Sequence, residues 1–315
     1  MNFKYFYQLN VIFLLIVILF GCSSTQEPVP VPITKVYDQQ PIKFNWKKDY
    51  LSTSIAGSFV PVLDANAIFT ADQAGYIYRI DKTDGDIISK FKLKRKLSSG
   101  TATSNDSIFV TTEDGYLLSV DKVNGKINWQ TQLPTVSIEA PQYGGGFIIV
   151  RTNDAQVLAF DASNGNLVWV YFKQVPPLTL RTYNTFQVVG SEVVLIGQPG
   201  GRVILVNLQN GTTIWETYIA VPEGATDLDK LTDVSARPSI DGKEVCVVTF
   251  NGKIGCIDAM SSNIMWSRPF SSSYGILIDT ANVYALSEDG ISYAFDRNYE
   301  KHSLNIHQSI QQLIL

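Results

Sequence analysis

Ala159-Phe160-Asp161-Ala162-Ser163-Asn164-Gly165-Asn166-Leu167-Val168-Trp169 is the stretch that decides the fold. An apolar run ends in an acid, an Asn-Gly pair follows, and a tryptophan lies eight residues beyond the acid. The arrangement recurs along the chain. Ile77-Tyr78-Arg79-Ile80-Asp81 leads to Asp84-Gly85, and Leu117-Leu118-Ser119-Val120-Asp121 leads to Asn124-Gly125 and Trp129. Ile204-Leu205-Val206-Asn207 leads to Asn210-Gly211 and Trp215, Ile254-Gly255-Cys256-Ile257-Asp258 leads to Trp266, and Tyr293-Ala294-Phe295-Asp296 is a weaker copy. The turn-leading positions 81, 121, 161, 207, 258 and 296 are 40, 40, 46, 51 and 38 residues apart. A period near 40, with short β-branched runs between turn signals, predicts an all-β chain, a β-propeller of four-stranded antiparallel blades. Within a unit, Ser107–Thr112 meets the turn Glu113-Asp114-Gly115, Tyr116–Val120 follows, and a third run ends at the Trp. Asn-Gly predicts a two-residue hairpin turn with both φ angles positive. The repeated Trp is expected on each outer strand, packed on the neighbouring blade as core rather than as a ligand platform.

Composition sets the class. The chain has 315 residues, is 45% hydrophobic and 17% charged, and carries a formal charge of −4. It is too apolar for a disordered chain and too acidic for a typical nucleic-acid binder. Its two histidines, His302 and His307, leave the body without an imidazole. That excludes a Ser/His/Asp or Cys/His catalytic site and a His-ligated metal there.

The N-terminus reads as an export signal. Val11–Phe20 is an unbroken apolar run of ten, half the length a membrane-spanning helix needs. It ends in Leu19-Phe20-Gly21-Cys22, which resembles a bacterial lipobox. The resemblance implies a signal peptide over 1–21, a lipid anchor (palmitate among its acyl chains) at Cys22, and sorting to the outer membrane, since Ser23 follows the Cys. Residues 22–45, with Pro28, Pro30, Pro32 and Pro41, are expected to form an extended tether, and 46–315 the propeller.

The units resemble the PQQ-like repeat, over residues about 50–300. Two families share it. One is the quinoprotein dehydrogenases, propeller enzymes of roughly twice this length with adjacent cysteines under the quinone and a bound calcium. Here Cys246 and Cys256 lie ten apart, and Asp227 and Asp229 form a lone D-x-D in a loop. The other is the BamB family of outer-membrane lipoproteins. Pro176-Pro177-Leu178-Thr179-Leu180-Arg181 resembles that family's Leu-x-Leu-Arg segment, which contacts BamA. Asp227-Leu228-Asp229-Lys230-Leu231-Thr232-Asp233-Val234 resembles its second contact loop, with Ser235 replacing the motif's last acid. The resemblance implies a non-catalytic scaffold on the periplasmic face of the outer membrane, without cofactor or metal. It would bind BamA through Leu178, Leu180, Arg181 and Asp233 and aid insertion of outer-membrane proteins, with unfolded barrel proteins as further candidate partners. Asp233 is expected to orient Arg181 or to pair with a partner's base. Leu178 and Leu180 either point outward as an apolar anchor or belong to an inner strand. The alternative function is a quinoprotein dehydrogenase-like enzyme.

Three smaller readings complete the set. Lys90, Lys92, Lys94, Arg95 and Lys96 alternate with Phe91 and Leu93, as in a half-buried strand with a basic wet face; a phosphate or lipid-headgroup surface is the other reading. A two-residue Asn251-Gly252 turn puts Cys246 opposite Ile257, whereas a three-residue loop puts it opposite Cys256; the expectation leans to the former and against a disulfide. Family rings have eight blades, closed by an early strand whose Trp matches Trp46. About six are expected here, with Leu304-Asn305-Ile306 as the sixth blade's outer strand and Gln311–Leu315 beginning a seventh. Whether the ring stays open or closes on six through Trp46, and whether the chain is a fragment or a natural short form, stay open.

Overall fold

A computed structural model describes residues 44–50, 58–64, 67–180, 182 and 185–297. Cys22, Arg181, Leu304 and the Gln311–Leu315 run lie outside the described residues. Six antiparallel sheets follow one another: five four-stranded blades over residues 62–92, 102–132, 142–171, 186–218 and 239–270, and a three-stranded sixth over 276–296. In every blade the strands pair in sequence order, so each blade is a meander of tight turns. The expected β-propeller blades are present.

The cores explain why the middle strands read as continuous apolar runs. Each of five buried clusters lies between consecutive blades. Blade 3 shows the logic: Ile149, Val157, Ala159 and Trp169 pack toward Val194, Ile196 and Ile204 of blade 4. The alternate residues Ile148, Val150, Leu158 and Phe160 pack toward Phe109 and Leu117 of blade 2. A strand buried on both faces needs apolar residues at every position, not every second one.

The repeat motif encodes how one blade grips the next. The side chain that leads each outer turn accepts hydrogen bonds from the backbone two or three residues on: Asp161 Oδ1 from Ser163 N at 2.8 Å, Asn207 from Gln209 N at 2.8 Å, Asp258 from Met260 N at 3.0 Å and Ser261 N at 2.7 Å. This is the Asx-turn device. The two-residue turn expected at Asn-Gly is not formed. Asn124 and Asn164 keep ordinary φ while Gly125 and Gly165 take φ of 72° and 76°. The reason is that the leading acid extends the turn and the following strand carries a bulge, seen in blade 3 between Ala159 and Phe160.

Each Trp then reaches across. Trp169 Nε1 donates to the Leu208 carbonyl at 2.7 Å, Trp129 to Ala162 at 3.1 Å, and Trp215 to Ala259 at 2.7 Å. In all three the acceptor directly follows the turn-leading residue of the next blade. The ring lies on the turn glycine: a Cβ on Gly211 would meet the Trp169 ring at 2.7 Å, and one on Gly165 the Trp129 ring at 2.5 Å. Blade 1 has Ser89 at the Trp position, and Phe91 covers Gly125 instead. Trp46 makes the same grip on blade 1, donating to the Lys82 carbonyl at 3.0 Å and covering Gly85. It thus sits where an outer-strand Trp of a preceding blade would.

The basic run is a half-buried strand only as far as Lys92; Lys94, Arg95 and Lys96 lie in the bent connection that follows. Ile87–Lys92 is exposed at alternate positions, with Lys90 and Lys92 over the Tyr76 ring at 4.1 and 3.8 Å. The expectation for the cysteines is corrected. Cys246 and Cys256 are direct cross-strand partners, Cα atoms 4.0 Å apart, and are disulfide-bonded on the buried face toward blade 6. The register differs because Thr249 N donates to Lys253 O at 2.9 Å, leaving a three-residue loop, Phe250-Asn251-Gly252, with Asn251 at φ 48°.

Candidate partner-binding site

The two long spacings of the repeat correspond to two loops, one joining blades 3 and 4 and one joining blades 4 and 5. They converge on the inner turn of blade 4, Pro199-Gly200-Gly201. Gly200 lies between Pro176 of the first loop and Pro222 of the second, each 3.8 Å from where its Cβ would be.

In the first loop, Leu178 is 42% exposed. Leu180 is half-buried and helps line a cleft of about 400 Å³ together with Thr179, Thr182, Arg151, Asp154 and Pro199. Neither leucine belongs to an inner strand, and only Leu178 faces freely outward. Two buried acids hold this loop. Asp233 accepts Leu180 N on Oδ2 at 2.6 Å, and Glu139 accepts Thr185 N on Oε2 at 2.9 Å. Glu139 is paired in turn with buried Arg151 at 2.7 Å.

The expected contact of Asp233 with Arg181 lies outside the described residues, and Asp233 is buried beneath the loop. It is only 2% exposed, and its second oxygen accepts Gly200 N at 3.0 Å, while its own carbonyl accepts Phe250 N at 2.9 Å. With one backbone N–H on each oxygen, the carboxylate joins the first loop and the blade 4 turn to the second loop, which carries Asp233 itself. Burial pushes its carboxyl above the ordinary carboxylate range, and the Leu180 and Gly200 donors offset part of that. The structure therefore brings Leu178, Leu180 and Asp233 together, Asp233 from beneath.

The second loop is shaped by a reciprocal cap. Thr226 N donates to Asp229 Oδ2 at 3.0 Å and Asp229 N donates to Thr226 Oγ1 at 3.1 Å. These bonds hold the Asp229 carboxyl below its ordinary value, so this acid of the D-x-D pair serves the turn. Leu231 is buried, while Leu228 is 67% exposed. Sequence reasoning missed Glu139, Arg151 and Thr185. The one available signal was an acid inside the otherwise uncharged stretch Thr135–Gln142, whose partners lie 12 and 46 residues away.

What fold and site define is a repeat propeller that displays apolar side chains on two braced rim loops. Comparison with known proteins makes this specific. Residues 48–302 match the family described as outer membrane protein assembly factor BamB. The chain is 33% identical over 285 residues to the BamB of Burkholderia pseudomallei (strain K96243), covering 89% of this chain and 74% of that protein. It is 41% identical over 274 residues to that of Pseudomonas aeruginosa PAO1, covering 86% and 72%, and 31% identical to that of Nitrosomonas eutropha, covering 84% and 65%. The crystal structure of BamB from Moraxella catarrhalis superposes with a TM-score of 0.69 at 22% identity, over 76% of this chain and 72% of that one. Quinohemoprotein alcohol dehydrogenase from Comamonas testosteroni shares the fold at a TM-score of 0.56 and 12% identity, over 78% of this chain and 47% of that one. The chain belongs to the BamB family of outer membrane protein assembly factors. It is a non-catalytic member of the repeat-propeller class and not a quinoprotein dehydrogenase.

Proposed function

We propose that this chain is a lipid-anchored scaffold of the β-barrel assembly machinery, held on the periplasmic face of the outer membrane through Cys22. It binds BamA with the loop that carries Leu178 and Leu180. The observation that carries the reading is that loop's construction: an exposed apolar residue stands on a segment fixed from below by two buried carboxylates, Asp233 and Glu139. A loop fixed in this way loses little conformational entropy on docking, and an apolar anchor on a fixed backbone is the usual composition of an energetic hot spot. Arg181, the next residue in the sequence, adds a positive charge to the segment. The exposed Leu228 of the second loop extends the surface.

Leu178→Glu tests the reading. Because Leu178 is exposed, the variant should melt with wild type and lose BamA in a pull-down. A Leu178→Glu protein that still retains BamA at wild-type level would refute the assignment. Charge reversal at Asp233 is not a clean test, because it removes the loop's support.

A further inference from the structure

Blade 1 differs from the blades that follow it in charge. Its outer strand and the connection after it, residues 87–96, hold Lys90, Lys92, Lys94, Arg95 and Lys96 and no acid. The same ten positions hold no charged residue in blade 2 (127–136), Lys173 alone in blade 3 (167–176), Glu216 alone in blade 4 (213–222) and Arg268 alone in blade 5 (264–273). The concentration stands against a formal charge of −4 for the whole chain. Arg95 pairs with Asp114 at 3.2 Å. Lys90, Lys92, Lys94 and Lys96 are exposed, and none of them has an ion pair with a carboxylate among the described residues.

Ile88, Lys90 and Lys92 share one face of the strand, while Phe91 on the other face covers Gly125 of blade 2. The Nζ atoms of Lys90 and Lys92 lie 4.1 and 3.8 Å from the centre of the Tyr76 ring, and Lys92 also donates to the Ala74 carbonyl. The ring holds both stems along the sheet and leaves the remaining N–H donors to the outside. At the start of the strand Ile88 is 48% exposed, and Phe44, two residues before the Trp46 that covers the preceding turn, is 79% exposed. The counterpart side chains of blade 2, Asn128, Gln130 and Gln132, stay exposed with a blade on each side, so a neighbouring blade does not cover this face.

We propose that this face of blade 1 docks on an anionic phospholipid surface, laying one side of the propeller against the membrane that holds Cys22. The proposal rests on the lipid anchor of the reading above. Charge, residue type and chain length choose the occupant. Four ammonium groups without carboxylate partners complement a phosphate surface, and each lysine close to such a surface raises partition by about fivefold. Lysine is a hydrated point charge on a flexible stem, suited to a fluid array of headgroups, whereas a fixed carboxylate of a protein partner favours the arginine fork. Exposed Ile88 and Phe44 and half-buried Tyr76 are residues suited to a membrane interface. Trp46, through which the described chain joins blade 1, lies 24 residues after Cys22 in the sequence, a reach of at most about 80 Å. The loops that bear Leu178 and Leu228 follow blades 3 and 4, so the lipid face does not coincide with them.

The test maps lysine acetylation by mass spectrometry on the full lipidated chain, reconstituted on vesicles of phosphatidylcholine alone or of about three parts phosphatidylcholine to one of phosphatidylglycerol. On the anionic vesicles Lys90, Lys92, Lys94 and Lys96 should react at least about fivefold more slowly than on the neutral ones, and salt at about 1 M should abolish the difference. Lys243 and Lys253, exposed on blade 5, should react alike on both. In the triple variant Lys92→Gln, Lys94→Gln, Lys96→Gln, Lys90 should lose its protection; all three positions are exposed, so the variant should melt with wild type. Equal reactivity of the four lysines on both vesicles, or equal slowing at Lys243 and Lys253, would overturn the proposal. Protection in native outer membranes but not on anionic vesicles would assign the face to an acidic protein and also overturn it. The mass of the Cys22 peptide separates the two readings. An acylated Cys22 with unprotected lysines leaves the anchor standing and refutes only the docking face; an unacylated Cys22 refutes the anchor, and the lysine pattern with added vesicles still decides the face.

Discussion

Replacing Trp169 with Ala removes a buried grip between blades 3 and 4. The ring is 7% exposed, lies on Gly211 and donates to the Leu208 carbonyl at 2.7 Å. Burial of ~200 Å² of ring contributes up to about 5 kcal/mol as an upper bound, and the indole hydrogen bond about 1 kcal/mol more. Partial collapse of the site offsets some of this, so the expected cost is ~3–5 kcal/mol, within the range for buried aromatic truncations. For a domain of this size that is a fall in melting temperature of roughly 6–20 °C. Trp169→Phe keeps most of the ring and loses the donor, so it should cost about 1 kcal/mol through the unpaired Leu208 carbonyl. Val168→Ala, one residue away and exposed, should change stability by less than about 1 kcal/mol. Thermal and urea melts followed by circular dichroism read all three. A Trp169→Ala protein that melts with wild type would refute the claim that the repeated Trp holds adjacent blades together.

Other expectations are as concrete. Gly211→Ala should destabilise by about 2 kcal/mol or more in the same melts, since the new Cβ meets the Trp169 ring at 2.7 Å and φ there is +71°. Asp233→Ala leaves the Leu180 and Gly200 N–H groups without an acceptor, a cost of about 1–3 kcal/mol; proteolysis should then cut first within residues 174–185, and equal protease resistance would refute the bracing role. Asp81, Asp161 and Asp258 are held below their ordinary values by bonds from Thr83, Ser163 and Ser261. Depressed folded-state values mean their contribution is present above the unfolded value near pH 4 and lost as pH falls below it. Asp161→Asn, the residue blade 4 itself uses at position 207, should remove its share of that acid sensitivity in melts run from pH 7 to pH 3. Breaking the Cys246–Cys256 bond should lower the urea midpoint by the equivalent of about 2–3 kcal/mol; a reductant with no effect on the midpoint would contradict it.

Much of the fold was legible because each blade repeats a local instruction. The residue leading the turn, the glycine at its end and the Trp eight beyond the lead all act within one blade or on the next, so spacing alone reveals them. The register of the Cys246 hairpin was not legible, because a loop of two or three residues around Asn251 depends on whether Thr249 pairs with Lys253. At the site, Leu178 was picked out only by its resemblance to a family segment, with its outward and inner-strand placements both open, and Asp233 could not be understood. An acid in a loop reads as solvated, and only the folded chain shows it buried on the N–H groups of Leu180 and Gly200. Glu139 escaped for the same reason: its meaning lies in Thr185, 46 residues away.

On this reading the propeller is a passive platform whose braced rim loops meet BamA. Affinity purification of the full chain, expressed with its own signal and extracted from outer membranes in mild detergent, tests it most directly. BamA should co-purify with wild type and be lost with Leu178→Glu. Absence of BamA from the wild-type eluate, with the chain folded and lipidated, would contradict it.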